Sequence, residues 1–283
     1  SGARLAGIKE EIIDGIKMQN TASEIRDFLG HKISPQRDTI QEMPDEAALV
    51  AISSLLNVGV AEEILKKAQQ SQHVGSYMHN IYGIEINFLV SRLVEYHFKN
   101  HEEEIIGILK RYLIDMLRCP QQELHQAAYG AITFTLDSPI RRDETNLRIK
   151  SEILGNDEIQ DLTFQSFSKV NDSSAAHTFS SQIMRQLFGY MLEDSRVSQW
   201  ENKIKQWIPV VVRQMKKFSE ISYYLNKFPW DHEVIEKMIK IDPDSFNDEV
   251  LLEQWIQNAL RAGVGDFGSD HWHNLQYLID ALA

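Results

Sequence analysis

The chain has 283 residues, of which 43% are hydrophobic and 25% charged, an ordinary globular composition with enough apolar material for a sizeable core. Its net charge of −12 disfavours generic binding to nucleic-acid phosphates. Seven prolines and fourteen glycines are too few for the many tight turns of a β-sandwich or barrel.

Divided after Ile140, the two parts carry 13 basic against 19 acidic residues and 16 against 22, so each is −6 and neither reads as a charged tail. A single cysteine, Cys119, rules out an internal disulfide and a multi-cysteine zinc site, and it fits a reducing, cytoplasmic compartment. It precedes Pro120 at a predicted helix end with no base beside it, and so reads as a packed thiol. Wholly apolar runs such as IPVVV are far too short to span a membrane. The start, SGARL, lacks methionine and reads as a trimmed end carrying a cloning remnant, so a targeting segment would be missing for that reason.

Leu5, Ile8, Ile12 and Ile16 recur at helical spacing. Thr21 and Glu24 have the spacing of a capping box and open a helix that ends at Gly30. Ser34 before Pro35 is another start, and Pro44 opens EAALVAISSLLNVG, which is expected to stop at Gly59. AEEILKKAQQ follows as a helix. A long apolar pattern runs through Tyr77, Ile81, Ile84, Phe88 and Leu93, and a second through Ile105, Leu109, Tyr112 and Met116. Pro120 opens a third through Leu124, Ala128 and Ile132. Short connections predict that these three pack consecutively and antiparallel.

The most polar interval predicts a connection at 138–146 between helical subdomains 1–137 and 147–283. AITFTLD and LTFQSFSKV contain β-favouring residues, but isolated strands in a helical chain are marginal, so both are assigned to helix. Beyond them come a helix starting after Asn171 or Asp172 and a long one over 196–226. Three more follow, capped by Asp231, Ser245 and Asp270. The expected fold is all-α, roughly a dozen helices packed as antiparallel hairpins, with an irregular solenoid as the alternative arrangement.

EYHFKNHEEEIIGILK, residues 95–110, places His97, His101 and Glu104 at i, i+4, i+7. On one unbroken helix that spacing presents two imidazoles and a carboxylate to a metal ion. Asn100 as an N-cap with Glu103 three residues on is the simpler account. Glu102, Glu103 and Glu104 then meet the positive end of a new helix, and the alignment of the histidines is broken. Asp266, Asp270, His271 and His273 in GVGDFGSDHWHN form a second, weaker candidate, since Asp270 is also the expected cap. Glu85 lies in an apolar pattern and is expected to pair with Arg92. His125 and Tyr129 read as satisfied residues at the edge of the core. No nucleophile elbow, phosphate loop, zincin helix or Glu-x-x-His pair is present, and no cofactor is implied.

In residues 196–225, Val197, Trp200, Ile204, Trp207, Val211, Met215, Phe218 and Ile221 form a helical stripe beside Lys203, Lys205, Arg213, Lys216 and Lys217. Pro209 is expected to kink or divide this helix. Trp200, Lys203, Trp207, Arg213, Lys216 and Lys217 are the candidate binding residues, for an acidic partner or an anionic membrane surface. The competing account is a core helix whose basic side docks on the acidic stretch 231–253. The sequence therefore favours a helical protein-interaction module, an adaptor or binding subunit without a catalytic centre. One alternative is a helical enzyme or metal protein centred on His97/His101 or the 266–273 loop. The other is a membrane-surface binder acting through residues 200–217.

Overall fold

The computed structural model describes residues 2–33, 40–136, 144–169, 174–221, 232–262 and 266–282, and among these the chain is all-α with no strand. It divides into two compact units, Ser1–Leu162 and Thr163–Ala283. The expected starts at Ser34, Asn171 or Asp172, and Asp231, and residues 138–143 of the polar connection, lie outside the described residues.

The first unit begins with α1 (Gly2–Met18) and α2 (Ala22–Ile33). The expected capping box is formed. The Glu24 N–H donates to Thr21 Oγ1 at 3.2 Å, and the N–H groups of Asn20 and Thr21 donate to Glu24 Oε2 at 2.7 and 3.1 Å. The stretch opened by Pro44 is split in two. Helix α3 (Asp45–Leu55) ends before Asn57, whose side chain accepts from the Gly59 N–H at 3.0 Å and so caps α4 (Val58–Gln69). Gly59 thus starts a helix where it was expected to end one. No single helix among the described residues is long and apolar enough to cross a membrane. The α3–α4 pair passes on length and composition with a 44° bend, but its apolar residues Ile52, Leu55, Val60 and Ile64 are buried in the unit.

A continuous helical stretch follows: α5 (Val74–Met78), a π-helix at His79–Ile86, and α6 (Asn87–His97). Hydrogen bonds from i to i+5 put an extra residue in each turn of the π segment, which advances the buried row from Ile81 to Ile86 and then to Leu89, Val90 and Leu93. Ile84 and Phe88, expected in that row, are 47% and 42% exposed. Asn87, buried where the π segment ends, donates from Nδ2 to the Gly83 carbonyl at 3.4 Å.

After a 3₁₀ turn at Phe98–Asn100 come α7 (Glu102–Arg118), α8 (Gln122–Gly130) and the short α9 (Thr133–Leu136). Then follow α10 (Glu144–Leu154) and α11 (Asp157–Ser168), which reaches across the division between the units. The β-favouring stretches are helical, as expected. Helix α8 packs on the π-helix at a close approach of glycines. A Cβ built on Gly130 would stand 3.5 Å from the Gly83 nitrogen.

The second unit comprises α12 (Ser174–Met191), α13 (Val197–Ile221) and α14 (His232–Ile241), then a 3₁₀ turn at Asp244–Phe246, α15 (Glu249–Ala262) and α16 (Asp266–Leu282). Pro209 does not divide α13, which runs through it with the proline exposed. Asp248, not Ser245, caps α15, accepting from the Leu251 N–H at 3.1 Å. Ser245 instead donates to Asp242 at 2.5 Å. Asp270 lies inside α16, which already starts at Asp266. Helices α15 and α16 pack closely on each other, and α14 also packs on α16.

Candidate functional site

The long helix α13 carries the residues with the strongest sequence signal. Trp200 and Trp207 are both buried, at 6% exposure. Trp207 stacks on Phe164 with ring centroids 4.3 Å apart and planes 4° from parallel, and Trp200 leans on Tyr190 at 5.8 Å. The Lys203 ammonium lies over the Trp207 ring, 5.4 Å from its centre. Lys216 is 2.6 Å from Asp248 and holds that carboxyl below its ordinary value, with the Leu251 N–H adding to the effect. Arg213 is exposed, and the side chain of Lys217 lies outside the described residues. The tryptophans therefore face the interior of their unit, and one lysine is already engaged with the acidic stretch 231–253.

At the corner between α6 and α7 the helix breaks, as the run of glutamates suggested, but the cap differs. His101 takes the cap position, and the Asn100 side chain donates to Asp45 Oδ2 at 3.0 Å. Both histidines converge on Asp45 of α3. His97, 3% exposed, has Nδ1 2.7 Å from Asp45 Oδ1 and Nε2 3.0 Å from the Ile40 carbonyl. Both ring nitrogens are thus already engaged by protein oxygens. His101 is more distant, 3.6 Å from Asp45 and 3.7 Å from Glu104. Hydrogen bonds from His97 and then Asn100 hold the Asp45 carboxyl below its ordinary value. The cluster ties three elements of the first unit together.

Among the described residues the remaining candidate side chains do not converge. Glu85 faces Arg26 at 3.8 Å rather than Arg92, and burial raises its carboxyl above the ordinary value. Arg92 bonds Glu95 at 2.9 Å and lies over the Phe88 ring. The Cys119 thiol is pushed up by burial and then by Glu62 and Asp115, so it stays protonated and poorly nucleophilic. His125 Nε2 is 2.7 Å from the Cys119 carbonyl, not directed at the sulfur. The side chains of Asp266, Asp270 and His271 lie outside the described residues; His273 is exposed. Among the described residues no group of three or more His, Cys, Asp and Glu side chains is arranged to hold a metal ion.

The sequence reading missed an open groove of about 690 Å³ along the outer face of α15, lined by Asn247, Glu249, Leu252, Glu253, Ile256 and Gln257. Leu251 and Trp255 point into the core of the unit at 1% and 2% exposure, while Ile256, one residue further on, is 41% exposed. The available signal was a surplus: Val250, Leu252 and Ile256 are apolar residues beyond the Leu251–Trp255 stripe that anchors the helix. On the neighbouring α16, Leu275 and Leu278 are buried, whereas Trp272, Ile279 and Leu282 are exposed. No protein-family model matches the chain, and neither a curated protein nor a solved structure matches it.

Proposed function

We propose that the chain is a helical protein-interaction module, an adaptor or binding subunit, whose docking face lies on the outer side of α15. The observation that carries this reading is the groove itself, where half-buried Leu252 and exposed Ile256 stand one turn apart between polar and acidic side chains. An apolar centre with a polar rim is the layout of a protein–protein contact. Exposed Trp272, Ile279 and Leu282 on α16 add apolar surface in the same unit. Exposed Arg213 on α13 supplies a polar contact that needs no rearrangement of the core.

The test compares the full chain with its Ile256→Asp and Glu62→Lys variants. Proteins retained by each immobilised chain are quantified, and the affinity of a retained protein is then measured with purified components. Ile256→Asp is expected to weaken binding at least tenfold while Glu62→Lys, on α4 of the other unit, leaves it unchanged. Equal affinity for all three chains refutes the placement of the docking face.

A further inference from the structure

We infer that the partner segment seated on α15 is a basic amphipathic helix; this deepens the interaction reading above and rests on it. Among the described residues lining the groove the charged ones are both glutamates, Glu249 and Glu253. They stand at i, i+4, one turn apart, like the apolar pair Leu252 and Ile256. Among the described residues neither glutamate has a cationic partner; Glu253 accepts only from Gln257, at 3.0 Å. Several other helix carboxylates are matched, Glu152 by Lys110, Glu158 by Arg118, Glu193 by Arg196 and Asp194 by Lys237, but none of these stands beside an exposed apolar residue that lines a groove. The start of α15 also shows how this edge receives a cation, since Asp248 accepts Lys216 from α13 at 2.6 Å.

Shape narrows the guest further. Leu252 and Ile256 form a ridge of i, i+4 residues, which fits between the side chains of a second helix laid along it. No strand edge is present among the described residues, so addition of an extended strand has no template. The helical part of the lining, Glu249 to Gln257, is about 12 Å long at the helical rise, which matches roughly two turns of a guest helix. Such a guest presents apolar residues at i, i+3 or i+4 and i+7 to the ridge, with Lys or Arg flanking them to meet Glu249 and Glu253. An acidic or neutral amphipathic helix would bury the two carboxylates without partners, which costs affinity.

The test pans a phage-displayed library of random 20-residue peptides against the full chain, with counter-selection on the Ile256→Asp chain. The expected peptides are net positive with apolar residues at helical spacing. For one such synthetic peptide, Glu249→Lys together with Glu253→Lys raises Kd at least tenfold, Glu249→Gln with Glu253→Gln raises it less, and Glu62→Lys leaves it unchanged. Circular dichroism confirms that each variant is folded. Groove-dependent peptides that are neutral or acidic overturn this inference while the interaction reading stands. A library yielding no peptide that distinguishes the full chain from Ile256→Asp overturns both. Equal weakening by Glu62→Lys assigns the binding to overall charge and also overturns the inference.

Discussion

Trp207→Ala tests whether the tryptophans of α13 are core or contact residues. A buried tryptophan removes about 150–250 Å² from water. At about 25 cal/mol per Å² that is worth about 4–6 kcal/mol. The extended-chain reference makes this an upper bound, and a more compact unfolded state lowers it to about 3–5 kcal/mol. Trp207 is 6% exposed and stacks face to face on Phe164, so nearly all of that area is at stake. Urea unfolding followed by far-ultraviolet circular dichroism should show the transition of the second unit moving to lower urea with an unchanged slope. Trp207→Phe keeps a ring against Phe164 and should lose about half as much. A loss below about 1 kcal/mol for Trp207→Ala would mean the ring contributes no core packing. That result would refute the inward placement and restore Trp207 as an outward-facing anchor.

His97→Leu should destabilise the first unit by about 2–4 kcal/mol, because the Ile40 carbonyl and Asp45 Oδ1 both lose a buried ring-nitrogen partner, whereas His101→Leu should stay within about 1 kcal/mol, its contacts being long; thermal unfolding of the two variants checks the contrast. Gly130→Ala should be neutral or gain up to about 1 kcal/mol of helix propensity, since its Cβ meets Gly83 at an ordinary 3.5 Å. Gly130→Val pushes further atoms into the π-helix backbone and should cost about 1–3 kcal/mol in the same melt. Acid should weaken the fold in a defined direction. Asp248 and Glu24 have folded-state values below their unfolded ones, the first through Lys216 and the Leu251 N–H, the second through the N–H groups of Asn20 and Thr21. Their stabilisation is therefore full above the ordinary carboxylate range and is lost as pH falls through the lowered folded-state values. Lys216→Met should flatten part of that dependence, measured as unfolding midpoint against pH, and an unchanged profile would refute the link.

Helix content was legible in the sequence because it rests on local signals: apolar periodicity, few breakers, and caps such as Thr21 with Glu24. What was not legible depends on groups distant in the chain or on backbone geometry that no single residue dictates. The π segment is one case. Nothing in HNIYGIEI announces hydrogen bonds to i+5, yet they turn Ile84 and Phe88 outward and leave Glu85 facing Arg26, 59 positions earlier, instead of Arg92. Asn100 is a second case. It suits a cap, but Asp45, far away in sequence, offers its side chain a carboxylate, and His101 takes the cap position instead. For the candidate site the obstacle was different in kind. A stripe containing Trp200 and Trp207 has the same spacing whether it faces a neighbouring helix of its own unit or another molecule, and burial alone separates the two.

That ambiguity is why we propose a docking face on α15 rather than on the more conspicuous α13. A helix needs one apolar stripe to be held in its unit, and α13 uses its stripe for that purpose: Trp200, Ile204, Trp207, Ile208 and Val211 are all buried. Helix α15 is held by Leu251 and Trp255, and Leu252, Val250 and Ile256 are surplus to that need. Single exposed apolar residues are ordinary on protein surfaces, and Phe88 is one, covered by the Arg92 guanidinium at 5.4 Å. Leu252 and Ile256 differ because they sit a turn apart in a groove whose carboxylates, Glu249 and Glu253, lack cationic partners among the described residues. Apolar surface and unpaired charge are each tolerable in water alone; together, in register along one helix, they describe the complement of a second helix with the opposite charge.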